Sequence, residues 1–160
     1  MRRLLCFVLF FLSATYSMAD NLPIPRFASL RSETVYMRAG PGERFPIEWV
    51  YEKKDFPVKI IDSFEHWLKI EDVDKNQGWV HKRMLSGKKT ALTPKDEKTA
   101  MYKKASTQSK VLVYFEGQVI VKIIECEDDS AFCEVKYNEL KGYIPKKSLY
   151  GASLTEGSGK

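Results

Sequence analysis

Two stretches of the chain decide its fold because one repeats the other: GWVHKRML at residues 78–85 and GYIPKKSL at residues 142–149. Each stretch opens with a glycine, an aromatic residue and a β-branched residue, continues through a basic pair and closes on a leucine. The two copies are offset by 64 residues. A match of this length and order indicates an internal duplication.

Two further matches lie upstream of these stretches. KIID at residues 59–62 matches KIIE at 122–125, and WLKI at 67–70 matches FCEV at 132–135, with offsets of 63 and 65. The runs are short, alternate between apolar and polar residues and are separated by turn-forming residues, which is typical of β-strands. The sequence therefore predicts an all-β protein built from two tandem units of about 55 residues, each a small barrel or sandwich and near the lower limit for an independent core.

The first 19 residues, MRRLLCFVLFFLSATYSMA, have the three parts of a secretory signal. Arg2 and Arg3 form a positive region, residues 4–12 are apolar, and Ser17 and Ala19 resemble a cleavage site. We predict Sec export, cleavage after Ala19 and a periplasmic or secreted location, without stable membrane insertion afterwards. An uncleaved membrane anchor is the alternative.

The repeat and the composition together divide the rest of the chain. The predicted segments are an extended, proline-containing leader at 20–32, the first unit at 33–87, a linker at 88–96, the second unit at 97–151 and a flexible tail at 152–160.

The composition restricts the function classes. A hydrophobic content of 44% with 12% aromatic residues excludes a disordered chain. The formal charge of +5 falls to +3 once Arg2 and Arg3 are removed, so the charge does not point to a nucleic acid as partner.

Cys126 and Cys133 are the cysteines that remain after Cys6 leaves with the signal. An even number of cysteines in an exported protein favours a disulfide, and a ring of about eight residues would contribute about 2.5 kcal/mol. A catalytic thiol or a metal pair is the alternative. A metal site needs more ligands than His66 and His81 supply, so we expect neither metal nor cofactor.

Residues 35–85 resemble a bacterial SH3-like domain. The resemblance rests on RAGPG at 38–42, FPI at 45–47, WLKI at 67–70 and GWV at 78–80. Residues 97–150 resemble the same family in part, because KKAS at 103–106 replaces the Gly-Pro-Gly turn and Phe132 and Tyr143 replace tryptophans. The resemblance implies a five-stranded barrel and a binding role, as in small exported proteins of Gram-negative bacteria, and it implies no enzymatic activity.

The glycines are predicted to shape turns. Gly40 and Gly42 allow positive backbone angles on either side of Pro41, whose ring fixes its own φ. Gly78 and Gly142 would permit a bulge or a close backbone approach before the last long strand.

Aromatic residues concentrate in the first unit. Alternation places Leu68 and Ile70 on the core side of one strand, so Trp67 projects to the other side. The candidate binding surface comprises Tyr36, Arg38, Phe45, Trp67 and Trp79. The alternative is that the two tryptophans only cover the ends of a small barrel.

These features predict a non-catalytic exported binding module, whose ligand is a cell-wall peptide or glycan or an envelope protein. An accessory or regulatory subunit that docks an envelope enzyme is the alternative. A wall hydrolase is a remote one, because the two units consume the chain and leave little room for a catalytic domain. The sequence does not identify the ligand or the oligomeric state.

Overall fold

A computed structural model describes residues 22–154, so the predicted signal at 1–19 lies outside the described residues. The described chain forms strands and two short 3₁₀ helices, which confirms the all-β prediction. Two sheets, one of seven strands and one of six, follow each other along the chain. We call the first sheet with its loops the first unit and the second sheet with its loops the second unit.

The first unit contains seven strands in the order β3-β2-β6-β5-β4-β1-β7. All neighbours in the sheet are antiparallel, and a 3₁₀ helix at Lys82–Met84 joins β6 to β7. The strands are β1 (Arg26–Leu30), β2 (Val35–Arg38), β3 (Ile47–Tyr51), β4 (Pro57–Phe64), β5 (Trp67–Glu71), β6 (Gln77–His81) and β7 (Leu85–Ser86).

The second unit repeats this topology in the order β10-β9-β13-β12-β11-β8. A 3₁₀ helix at Lys146–Ser148 follows the last strand, and Tyr150 then bridges back to Leu92. The strands are β8 (Thr90–Leu92), β9 (Thr99–Tyr102), β10 (Val111–Phe115), β11 (Ile120–Glu125), β12 (Phe132–Tyr137) and β13 (Leu140–Pro145).

The duplication extends further than the sequence matches showed. Strand β1 lies within residues 20–32 and pairs with β4, and strand β8 lies within residues 88–96 and pairs with β11. The segments treated as leader and linker therefore each supply a strand, because their backbone groups find partners on the first long strand of each unit. Each sheet consequently has more than five strands.

Each unit has its own hydrophobic core on the inner face of its sheet. The alternation of the long strands sends Ile70 and Val80 into the first core and Val135 and Ile144 into the second, and all four are fully buried. Leu68 packs at the margin of the first core, as the alternation predicts.

The predicted disulfide between Cys126 and Cys133 is present. It joins the chain just after β11 to strand β12, with 4.4 Å between the two Cα atoms. Cys133 is fully buried in the second core, at the strand position that Leu68 occupies in the first unit.

Direct contacts hold the two units together. The Tyr150 hydroxyl of the second unit donates a hydrogen bond of 2.9 Å to the carbonyl of Glu71, and its ring meets Phe27 edge-on at 5.2 Å. The Thr90 hydroxyl donates to the carbonyl of Asp55 at 2.8 Å. The ends of the second unit are thus anchored on the first.

Candidate binding surface

Strand pairing brings together four of the five residues that the sequence proposed for a surface. Arg38 on β2 lies opposite Trp79 on β6, and Trp79 lies opposite Lys69 on β5. Residues directly opposite in an antiparallel pair have Cβ atoms about 5 Å apart, so these three side chains form a row on the outer face. Trp67 is diagonal to Trp79, and Tyr36 is two residues before Arg38 on the same face.

The tryptophans of this row are half-buried, whereas Tyr36 is 50% exposed. Lys69 is half-buried, and within residues 22–154 its ammonium group has no ion-pair partner. The row therefore offers aromatic faces beside one available cation.

Arg38 is part of the row and also holds the adjacent loop. Its guanidinium Nη1 donates hydrogen bonds to the carbonyls of Glu43, at 3.1 Å, and Phe45, at 2.8 Å. These bonds pin the loop between β2 and β3 to the sheet, so much of the donor capacity of Arg38 is used within the protein.

Phe45 packs against the turn that contains Gly40, Pro41 and Gly42. A Cβ on Gly40 would lie 2.5 Å from the Phe45 ring, so only glycine leaves room for the ring there. The Arg44 guanidinium covers the ring at 5.2 Å from its centroid. Phe45 therefore supports the loop beside the row and is itself half-buried.

The expectation of positive backbone angles in this turn is wrong. Among residues 22–154 the glycines with positive φ are Gly117 and Gly151, and neither Gly40 nor Gly42 is among them. The turn closes instead by a hydrogen bond of 2.9 Å from the amide of Gly42 to the carbonyl of Gly40. Space for an aromatic ring, and not backbone freedom, requires a glycine at residue 40.

Gly78 and Gly142 lie where neighbouring chains approach closely. A Cβ on Gly78 would lie 2.6 Å from Met37 Cγ and 2.9 Å from the carbonyl oxygen of Arg38. A Cβ on Gly142 would lie 2.7 Å from the carbonyl oxygen of Tyr102. Gly78 allows β6 to lie close to β2, and Gly142 allows β13 to lie close to β9. The two glycines occupy matching positions in the two units.

His81 lies at the margin of the row. Its ring meets Trp67 edge-on at 5.3 Å, and its Nδ1 accepts a hydrogen bond of 3.2 Å from the amide of Arg83. Partial burial and then the positive charge of Arg83 lower the pKa of His81. His66 lies 6.2 Å away, and residues 22–154 contain no group of three or more potential metal ligands.

Two apolar residues that the sequence did not point to extend this surface. Ile47 lies opposite Arg38 and Val50 lies opposite Tyr36, both on the edge strand β3, and both are exposed. The register shifts between these pairs, which leaves Glu48 unpaired as a bulge. Simple alternation would assign Ile47 to the core side, and no signal in the sequence marks the bulge.

The second unit presents different side chains at the corresponding positions. Tyr102 lies opposite Tyr143, Tyr143 lies opposite Glu134, and Phe132 lies opposite Pro145. The aromatic character is kept, whereas the positions of Arg38, Lys69 and His81 have lost their basic residues.

The two tandem β-barrels share one strand topology, and each ends with the related stretch at residues 78–85 or 142–149. These features define a repeat protein of the small-barrel class. The bacterial SH3 domain family matches the chain twice, at residues 31–87 and 95–151, so the chain belongs to this family. Domains of this family are generally non-catalytic binding modules.

No curated protein matches the chain significantly. Among solved structures, it is similar to NlpC2 from Trichomonas vaginalis, with 15% identity, a TM-score of 0.35 and coverage of 79% of this chain and 48% of the other. NlpC1 from the same organism gives 14% identity, a TM-score of 0.35 and coverage of 82% and 47%. The chain thus spans about half the length of each of these proteins.

Within residues 22–154, no helix has the length and apolar composition needed to cross a membrane.

Proposed function

We propose that this protein is an exported, non-catalytic module that binds cell-wall peptide or glycan on the outer face of its first unit. The observation that carries the proposal is the row of Arg38, Trp79 and Lys69, flanked by Trp67 and Tyr36. The row lies on the surface of a domain family whose general role is binding.

The chemistry of the row suits such a ligand. Aromatic faces pack against the apolar face of a sugar ring or the stem of a peptide, while their polar edges remain in contact with water. Lys69 lies opposite Trp79, and its unpaired charge suits a carboxylate of the ligand. The loop that Arg38 and Phe45 hold in place keeps one side of the row fixed, which reduces the entropy lost on binding.

Co-sedimentation with purified wall sacculi tests this proposal. Truncation of a tryptophan that a ligand covers at a binding centre costs about 2 kcal/mol or more, so Trp79→Ala should weaken the affinity for sacculi about thirtyfold. Tyr143→Ala alters the corresponding position of the second unit and serves as the matched control. Lys69→Glu is a second variant, and it reverses the charge of a residue that forms no ion pair within residues 22–154.

Two results would contradict the proposal. One is equal binding by the wild-type protein and both first-unit variants. The other is an equal loss with Tyr143→Ala, since that would show that the response is not specific to the row. Circular dichroism of each variant distinguishes lost binding from lost folding.

A second candidate function is an accessory subunit that docks an envelope enzyme. The edge strand β3 favours it, because Ile47, Trp49 and Val50 are each between 44% and 49% exposed on a strand with one free edge. Exposed apolar edge strands readily pair with another chain. Stoichiometric capture of one envelope protein, lost with Val50→Lys and accompanied by no sacculus binding, would favour this candidate.

The proposed location outside the cytosol has its own test. Bacterial SH3 domains and a disulfide are common in exported proteins, and both are present here. Cell fractionation should recover the protein from the periplasm or the medium, with an N-terminus at Asp20. Bulk retention in the cytosol with an intact Met1 would contradict export.

A further inference from the structure

A cleft of about 880 Å³ lies at the junction of the two units. Phe27 and Lys59 line it from strands β1 and β4 of the first unit. Phe132, Pro145 and Tyr150 line it from the second unit. Ligand sites commonly form at the interfaces between domains and have volumes of about 300–1,000 Å³.

The duplication relates this cleft to the surface of the first unit. Phe132 lies opposite Pro145 in the second sheet, as Trp67 lies opposite His81 in the first. Thr107, from the loop between β9 and β10, also lines the cleft, and this loop corresponds to the loop of Gly40. The cleft therefore includes the second unit's counterparts of Trp67 and His81, but not the counterparts of Arg38, Trp79 and Lys69. Phe27 and Tyr150 line the cleft beside them.

The lysines of the cleft are not all committed to partners. The Lys146 ammonium donates to the carbonyls of Glu127 and Asp128, and Lys75 pairs with Glu71. Lys59 and Lys147 have no ion-pair partner within residues 22–154.

Asp128 is the only acidic residue among the described residues that line the cleft. With Lys59 and Lys147 unpaired, the cleft has an excess of positive charge and favours an anionic ligand.

We propose that this cleft binds an extended peptide segment that carries an acidic side chain next to proline or apolar residues. Grooves with aromatic walls accept extended proline-containing segments, because these segments lose little conformational entropy on binding. The rings of Phe27, Phe132 and Tyr150 supply such walls, and Lys59 and Lys147 supply the charges for the acidic side chain. This site is separate from the row and does not rest on the proposed binding of wall material.

Titration of the ¹⁵N-labelled full protein with short peptides tests the site. The probe is acetyl-Leu-Pro-Glu-Leu-Pro-Glu-amide, and the control peptide has glutamine in place of both glutamates. The first peptide should shift the amide signals of Phe27, Lys59, Phe132 and Lys147. The control peptide should bind more weakly, and added salt should reduce this difference.

The double variant Lys59→Gln/Lys147→Gln should bind the acidic peptide about three- to tenfold more weakly, since each exposed charge pair contributes modestly. Lys54→Gln/Lys104→Gln makes the same change in net charge at exposed lysines outside the cleft and should bind as the wild type does.

Three results would overturn the proposal: no shifts in the cleft, equal affinity for both peptides, or equal losses in the two double variants. Shifts confined to Lys69 and Trp79 would also overturn it, by assigning the peptide to the row. Loss of sacculus binding by Trp79→Ala reports only on the row, so the two proposals fail independently.

Discussion

Tyr51 in the first unit and Phe115 in the second occupy the same position at the end of the edge strand, yet their side chains contact different kinds of residue. The Tyr51 hydroxyl donates a hydrogen bond of 3.0 Å to the carboxylate of Asp72, which is 3% exposed. Phe115 instead meets the ring of Tyr137 edge-on at 5.0 Å. One fold thus tolerates either a polar pair or a ring pair at this position.

The polar pair makes greater demands on its surroundings. The Asp72 carboxylate also accepts hydrogen bonds from the amides of Asp74 and Asn76 and from the Asn76 side chain. Burial raises the pKa of Tyr51, and the charge of Asp72 raises it further, so the hydroxyl remains a donor. A buried carboxylate needs all these partners, whereas two rings need only shape and contact.

The units also differ in what they expose. Arg38, Lys69 and His81 surround the tryptophans of the first unit, where the second has Tyr102, Glu134 and Pro145. The edge strands β3 and β10 also differ in the side chains that they expose. Tyr114 of β10 lies under the ammonium of Lys98, which is 4.8 Å from the centroid of its ring. Strand β3 exposes three large apolar side chains, Ile47, Trp49 and Val50, whereas β10 exposes Tyr114 and partly buries the three residues before it. The two copies therefore share a framework and differ in the side chains that they expose.

Asp72→Ala should produce the largest difference in stability between the two units. It leaves two backbone amides without acceptors and the Tyr51 hydroxyl with only the weak acceptor Met37 Sδ, at 3.6 Å, so the first unit should lose about 3 kcal/mol of unfolding free energy or more. Urea unfolding followed by tryptophan fluorescence measures this loss, because all three tryptophans lie in the first unit. Tyr137→Phe, at the second unit's counterpart, should cost less than about 1 kcal/mol. Similar losses in both variants would remove the distinction between the two pairs.

Reduction of the disulfide should produce the second largest effect. The second unit should lose about 2.5 kcal/mol, because opening a ring of about eight residues restores entropy to the unfolded chain. The circular dichroism transition should shift in dithiothreitol, while the tryptophan transition moves less. The variant Cys126→Ser/Cys133→Ser should not respond to dithiothreitol. An equal shift of the tryptophan transition would show that the units unfold as one.

Tyr150→Phe tests the coupling between the units and should have a smaller effect. It removes the hydrogen bond to Glu71, which costs about 1 kcal/mol, and it should separate the two unfolding transitions further. Tyr114→Phe changes an exposed hydroxyl and should leave both transitions in place. Unchanged spacing of the transitions in Tyr150→Phe would mean that this bond does not couple the units.

The pH dependence of His81 should give the smallest effect. Its pKa in the folded protein is below the ordinary value of 6.5, so the unfolded chain takes up the proton first. The stability that His81 contributes is present above pH 6.5 and is lost as the pH falls toward the folded pKa. His81→Gln should therefore show a shallower decline in unfolding free energy between pH 7 and 5 than His66→Gln. A decline of equal slope in both variants would assign the effect to other groups.

The framework followed from the sequence because it depends on local pattern. The matched blocks located the strands of WLKI and GWV, and the alternation placed Ile70 and Val80 in the core. The pairing of Cys126 with Cys133 followed from the even number of cysteines left after signal cleavage and from the predicted export. The strands β1 and β8 were not recognised, because their partners are long-range and their own sequences carry little periodicity.

The candidate surface was only partly visible in the sequence. Period-two alternation placed Trp67 on the outer side, but the bulge at Glu48 hid the contribution of Ile47. The task of Arg38 in holding the loop and the packing of Phe45 on Gly40 could not be predicted either, since both depend on how a loop folds back on its strand.

The sequence by itself determined that this chain is a duplicated all-β protein, because the hydrophobic period, the turn residues and the repeat spacing are local features of the sequence. Tertiary structure alone decided which side chains meet across strands, where a bulge redirects them and how Tyr150 closes a cleft between the units. Those outcomes depend on contacts between residues far apart in the chain, and they are set by the register of the sheets and the packing of one unit on the other.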